Sequence, residues 1–211
     1  VSEDDVLKVY GRANAWNVRK VTFLIEDLGL PYERLDYGRG FAPTDTPDFL
    51  ALNPNGFVPV LDDNGFILWE SHTLLRYIAG KYGQPPLYPA DVQQRARVDQ
   101  WLDWKISHVA PAMRPLFFTR VLNSKDYTDK EVADAEADWN KYFTILDGQL
   151  GRTGAYVAGS DFTIADCAIG MAVHRFMTMP CDRPALQHVE RYYGQLSERP
   201  SYQKTVLIGV P

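Results

Sequence analysis

The chain has 211 residues, 45% of them apolar and 23% charged, with a formal net charge of −5. That length allows one large domain or two small ones with a real core, and the acidic balance argues against nucleic acid, whose binders carry basic faces. No window approaches the roughly 20 apolar residues of a membrane span, and the opening VSEDD lacks the basic and apolar regions of a signal peptide.

Residues 6–10 predict a strand. Val18, Val21, Leu24, Ile25 and Leu28 keep helical spacing, with Gly29 as the stop and Pro31 just beyond. Residues 32–37 read as a second strand, 39–45 as a polar loop and 47–52 as a short helical turn. Two apolar runs, 57–61 and 66–69, are joined by Asp62-Asp63-Asn64-Gly65. Asn-Gly tolerates positive φ at both positions, so these runs predict an antiparallel hairpin. Residues 71–82 follow as a helix with Leu74, Leu75 and Ile78 inside. The first two strands flank a helix and should be parallel. The expected fold class is therefore α/β, a mixed four-stranded sheet with helices over residues 1–82.

Residues 83–90 hold three prolines and read as a linker. From 91 to 211 the pattern is all-helical. Val98, Leu102, Ile106, Val109, Met113 and Leu116 mark a long helix, with a kink expected at Pro111. A second helix runs through Val132, Ala135, Trp139, Tyr142, Phe143, Leu146 and Leu150. Thr163-Ile164-Ala165-Asp166 has capping-box spacing and starts a third, to about Met177; a fourth covers about 185–196. Cys167 and Cys181 form no metal-type or redox-type pair, which fits a reducing, cytoplasmic setting.

One corner invites chemistry. The stretch GRANAWNVRKV, Gly11 to Val21, leads from the first strand into the first helix. A helix start gathers unpaired N–H groups and a positive dipole end, a natural anion site. Yet the stretch contains no Ser, Thr, Cys, Tyr, His, Asp or Glu.

Asn53-Pro54-Asn55-Gly56-Phe57-Val58-Pro59, then Trp69-Glu70-Ser71, then Gly159 to Asp166 appear in an order and at distances that resemble the cytosolic glutathione transferases, bacterial members near the theta, beta and Nu classes above all. The resemblance covers essentially the whole chain. It implies a thioredoxin-like N-terminal domain, an all-α C-terminal domain, a homodimer, and glutathione as co-substrate with no metal. The implied reaction is attack of the glutathione thiolate on a small electrophile. Glutathione-dependent disulfide or peroxide reduction and a non-catalytic glutathione-binding module are the other functions considered.

The resemblance also implies site residues. Ser71 would bond the γ-glutamyl carboxylate at a helix start, and Glu70 its ammonium; as an ordinary alternative the pair is a plain N-cap. A cis bond between Val58 and Pro59 would present the Val58 backbone to the tripeptide. Arg12 and Arg39 are candidates for the glycine carboxylate. At the position of the family's hydroxyl or thiol donor to sulfur stands Ala15, a departure, since its side chain cannot donate. Asn17, which could instead be the helix N-cap, backbone N–H groups of Trp16 to Val18, and Tyr10, which could instead be packing, remain as donors. Family electrophile sites point to Trp16, Trp104 and His108, with Met113, Phe117 and Arg175 as further candidates. His72, His174 and His188 read as structural or surface residues.

Overall fold

Short strands and an almost wholly buried helix build the first part of the chain. The computed structural model describes residues 6–209, so the acidic opening at 1–5 lies outside the described residues. β1 (Leu7–Tyr10) buries Leu7 and Val9 and leaves Lys8 and Tyr10 more open, the period of two of a strand. α1 (Trp16–Asp27) returns the chain to β2 (Tyr32–Leu35), which pairs parallel to β1. Then come α2 (Pro47–Leu52), β3 (Val60–Asp63), β4 (Phe66–Trp69) and α3 (Ser71–Tyr82). The sheet order is β2-β1-β3-β4, with β3 antiparallel to both β1 and β4. The hairpin turns on Asn64 (φ 54°) and Gly65 (φ 89°), as the Asn-Gly pair predicts.

Two strand edges differ from the sequence reading. β2 stops at Leu35 rather than 37, because the chain swings out to bridge Tyr37 with Ala42. β3 begins at Val60 rather than 57. Pro59 has no N–H for a ladder, and Phe57 is left 71% exposed.

The helical part runs α4 (Val92–Trp104), a π-helical turn at Lys105–Val109, α5 (Ala110–Leu116), a second π-helical turn at Phe117–Val121, α6 (Asp129–Thr153), α7 (Ile164–Thr178) and α8 (Gln187–Ser197). The irregularity expected at Pro111 takes the form of π bonding before it. Pro111 has no N–H for the Ser107 carbonyl, and Ala110 N–H bonds Lys105 O instead. The Asp166 carboxylate accepts from Thr163 N–H (2.8 Å), Val157 N–H (3.0 Å) and Tyr192 O–H (2.8 Å), joining the start of α7 to its neighbours.

A last helix, α9 (Pro200–Thr205), lies beyond any element in the sequence reading. Its residues pack on α1. Arg199 Nη2 donates to both oxygens of the Asp27 carboxylate (2.8 and 2.7 Å), Ser201 donates to it at 2.6 Å, and Lys204 meets Glu26 at 2.7 Å. From α1, Arg19 reaches the carbonyls of Val206 and Ile208. Burial pulls the Arg19 guanidinium down to about 10, still charged at neutrality. One compact unit therefore comprises the chain up to Tyr88 and the segment from Glu198, and the other runs from Pro89 to Ser197. The C-terminal segment groups with the sheet, not with the helices expected for 91–211.

α3 is pinned to the hairpin by Asp63, which is 3% exposed. Its carboxylate accepts from Tyr77 (2.7 Å), Tyr82 (2.8 Å) and Lys81 (2.6 Å). Burial alone would raise its pKa, but bonds from Lys81, Tyr77 and Tyr82 outweigh it and the carboxyl titrates below its usual range. Stability from this group is thus complete above the unfolded-state value, near pH ~4, and is lost as pH falls through the lower folded value. Asp63→Asn should cost about 2 kcal/mol in urea unfolding at pH 7. The gap to wild type should close as the solution is acidified through that range.

Candidate active site

The strand-to-helix corner is sewn to the chain after β2. Gly11 N–H donates to Leu35 O (2.8 Å), Arg12 N–H to Tyr37 O (3.1 Å), and Ala15 N–H closes a turn onto Arg12 O (3.1 Å). At Gly11 φ is +149°, and an added Cβ would lie 2.5 Å from Val18 Cγ2 and 3.1 Å from Val58 Cβ. Only glycine lets α1 and the Val58 segment close on the end of β1 together. The Val58-Pro59 bond is cis.

That turn makes Ala15 the N-cap of α1, with no side-chain bond to the first turn and no acidic residue in it. The alternative that Asn17 caps the helix is therefore corrected. Asn17 is the second residue of α1 and is exposed. Its amide makes no hydrogen bond among the described residues, so both donor hydrogens can serve a ligand. Trp16, the first residue of α1, is 8% exposed. Tyr10 lies 5.6 Å from Tyr37, ring to ring, and Tyr37 lies 5.0 Å from Phe49. Burial, then the nearby Asp62 charge, raises the Tyr10 phenol above its ordinary value. That environment suits a packing residue better than a donor to an anion.

α3 likewise starts without a side-chain cap. Glu70, its N-cap, is exposed and held at φ 72°, a conformation few L-residues adopt and one that concentrates at functional sites. Ser71 is the first helical residue and 6% exposed. Its hydroxyl accepts at 2.8 Å from Nζ of Lys20, a residue of α1 only 1% exposed. Lys20 is not among the residues whose apolar spacing marks α1, and its burial is therefore not announced by periodicity. By contrast, α2 and α4 begin on Thr46 and Asp91, whose side chains accept from the first turn, and α6 and α7 carry capping boxes. A missing cap forgoes about 1 kcal/mol, and at α1 and α3 it leaves helix-start N–H groups for an anion.

A second cationic place adjoins the corner. Arg12 Nη1 would lie 2.8 Å from a Cβ added at Gly38, so the half-buried guanidinium rests on that glycine. Burial, and then the neighbouring Arg39 charge, lowers the Arg12 pKa. Two cations thus stand near each other beside the corner.

In the helical unit, Trp104 stacks on His108 (6.4 Å between centroids), and both meet Tyr142 edge-on at 6.1 and 5.4 Å. His108 sits exposed in the first π-helical turn; such turns recur at functional sites. Arg175 lies 4.0 Å from the Phe117 ring and donates to Met113 Sδ at 3.1 Å. His174 bonds Tyr193 at 3.1 Å, and His72 is 2% exposed. Among the described residues no helix is long and apolar enough to cross a membrane, and no cluster has the make-up of a metal site.

Known proteins resemble this chain over nearly its whole length. Residues 5–80 match the model of the glutathione S-transferase N-terminal domain, and residues 129–199 that of its C-terminal domain. The chain is 34% identical to glutathione S-transferase GstB of Escherichia coli over 97% of its own length and 100% of that protein. It is 32% identical to glutathione S-transferase 3 of Zea mays, covering 95% and 93% of the two chains. A theta-class glutathione S-transferase from Xanthomonas axonopodis pv. citri, crystallised with glutathione bound, superposes with a TM-score of 0.92 at 34% identity, over 98% of this chain and 100% of that one.

Proposed function

This chain belongs to the glutathione S-transferase family, and from that premise we propose which of its residues hold and activate glutathione. It is a transferase with glutathione as co-substrate. The γ-glutamyl carboxylate sits on the start of α3, taking the Ser71 N–H and hydroxyl, while Glu70 pairs with the neighbouring ammonium. The Val58 main chain, beside Pro59, pairs with the peptide of the cysteinyl residue. Arg12 and Arg39 receive the glycine carboxylate.

The sulfur lies at the start of α1. A free thiol titrates near pH ~8.5, and lowering that by about two units takes about 2.7 kcal/mol of preference for the thiolate. A helix start supplies up to ~2 kcal/mol. A hydrogen bond to a charged acceptor adds about 1.5–3 kcal/mol. The Asn17 amide and the first-turn N–H groups therefore suffice where Ala15 replaces the expected hydroxyl. Tyr10, with its raised phenol, is the poorer donor. The thiolate attacks the electrophile, forming a C–S bond and expelling the leaving group as an anion. Within the helical unit, Trp104 and His108 are the residues we assign to electrophile recognition. A homodimer and a reducing, cytoplasmic setting complete the proposal; neither Cys167 nor Cys181 is in a disulfide among the described residues.

The observation that carries this reading is the uncapped first turn of α1 with the unengaged Asn17 amide. Titrating thiolate absorbance of the glutathione complex tests it. The bound thiol should ionise about two units below pH ~8.5. A thiol no more acidic than in buffer would leave a glutathione binder without this activation.

A further inference from the structure

We infer that Lys20 is a positioning residue of the glutathione site: its buried ammonium holds the Ser71 hydroxyl as a donor toward the γ-glutamyl carboxylate and backs that carboxylate with a positive charge. This rests on the reading of Ser71 given above. Lys20 Nζ donates to Ser71 Oγ at 2.8 Å, with Lys20 1% and Ser71 6% exposed. A hydroxyl oxygen has two lone pairs and one proton. With the inner side of the oxygen taken by an N–H donor, the proton must point to another acceptor. The carboxylate at the helix start is the acceptor such a proton needs.

Chemistry also argues against Lys20 as filler. A buried ammonium needs hydrogen bonds or negative charge around it, and the Ser71 hydroxyl is one partner it holds. Lys20 further lies one helical turn from Asn17, on the same side of α1. One helix thus carries both the sulfur's amide donor and the cation behind the far end of the tripeptide.

The test compares glutathione with its analogue lacking the γ-glutamyl α-carboxylate, γ-aminobutyryl-cysteinylglycine, by calorimetry. Wild type should prefer glutathione. Lys20→Met should weaken glutathione binding by about 30-fold and leave affinity for the analogue within about 2-fold, because the analogue has no group for Lys20 to serve. Lys20→Arg should restore most of the preference. Damage to packing alone would weaken both ligands alike. If Lys20→Met does not fold by far-UV circular dichroism, Lys20→Gln carries the same comparison, with the donor kept and the charge removed. Unchanged preference in the folded variant overturns the role of Lys20. Ser71→Ala separates the two layers: if it keeps the wild-type preference, the carboxylate lies elsewhere and the Ser71 reading fails, whereas if it loses the preference and the Lys20 variant does not, only Lys20 is removed.

Discussion

Asn17→Ala should lower kcat/KM for glutathione with a chromogenic aryl halide by about 30-fold, or about 2 kcal/mol, the middle of what a hydrogen bond to a charged acceptor contributes. Loss of the donor should also move the bound thiol back toward its free value, by about 1.5 units at 1.36 kcal/mol per unit. The remaining acidity would belong to the backbone N–H groups of the first turn. Asn17→Asp is the sharper control. It is nearly isosteric but sets a negative charge against the thiolate, so it should fall below the alanine variant. Neither change should unfold the protein, because Asn17 is exposed and does not cap its helix. An alanine variant with unaltered kcat/KM and thiol titration would remove Asn17 from the chemistry and leave the main chain as the donor.

The second large effect is on stability. Gly11→Ala places a methyl 2.5 Å from Val18 Cγ2 and 3.1 Å from Val58 Cβ, at a φ of +149°. Overpacking costs about 1–3 kcal/mol, and the backbone conformation about 1–2 kcal/mol more for an L side chain. The sum, about 3 kcal/mol, should lower Tm by about 6–12 °C, read by circular dichroism. Glutathione affinity should fall with it, because the displaced neighbours are α1 and the Val58 segment. A variant melting with wild type would mean the corner relaxes freely, contrary to its close packing.

Much of the molecule is legible in the residues because its signals are local. Asn64-Gly65 specifies a turn by its own backbone preferences, and the structure turns there. The apolar spacing of Leu74, Leu75 and Ile78 gives α3 its buried face, and Ser71 starts it as expected. What escaped the reading depends on partners distant in the chain. Arg19 and Lys20 lie outside the apolar spacing of α1, yet both are buried, since α3 and the C-terminal segment cover flanks that periodicity alone leaves to solvent. α9 has six residues, too few to show a period, and its anchor at Asp27 is 172 positions away. The cap of α1 escaped for a different reason. Asn is a favoured cap and Ala is not, so local preference pointed to Asn17 where a turn closed by backbone bonds selects Ala15. Local rules fail there because main-chain bonds, which no side-chain type announces, close the turn.

The clasp between Asp27 and Arg199 ties the order of synthesis to the order of folding. With the two 172 positions apart, a ribosome adding about 5–20 residues per second exposes one flank of α1 for about 10–30 s before its cover emerges. A nascent chain halted at the proline-rich junction near Tyr88 would hold the whole sheet and still present that uncovered flank to chaperones or to other nascent chains. A minimal glutathione-binding fragment should for the same reason be built by splicing residues 198–209 back onto 6–88, not by truncation.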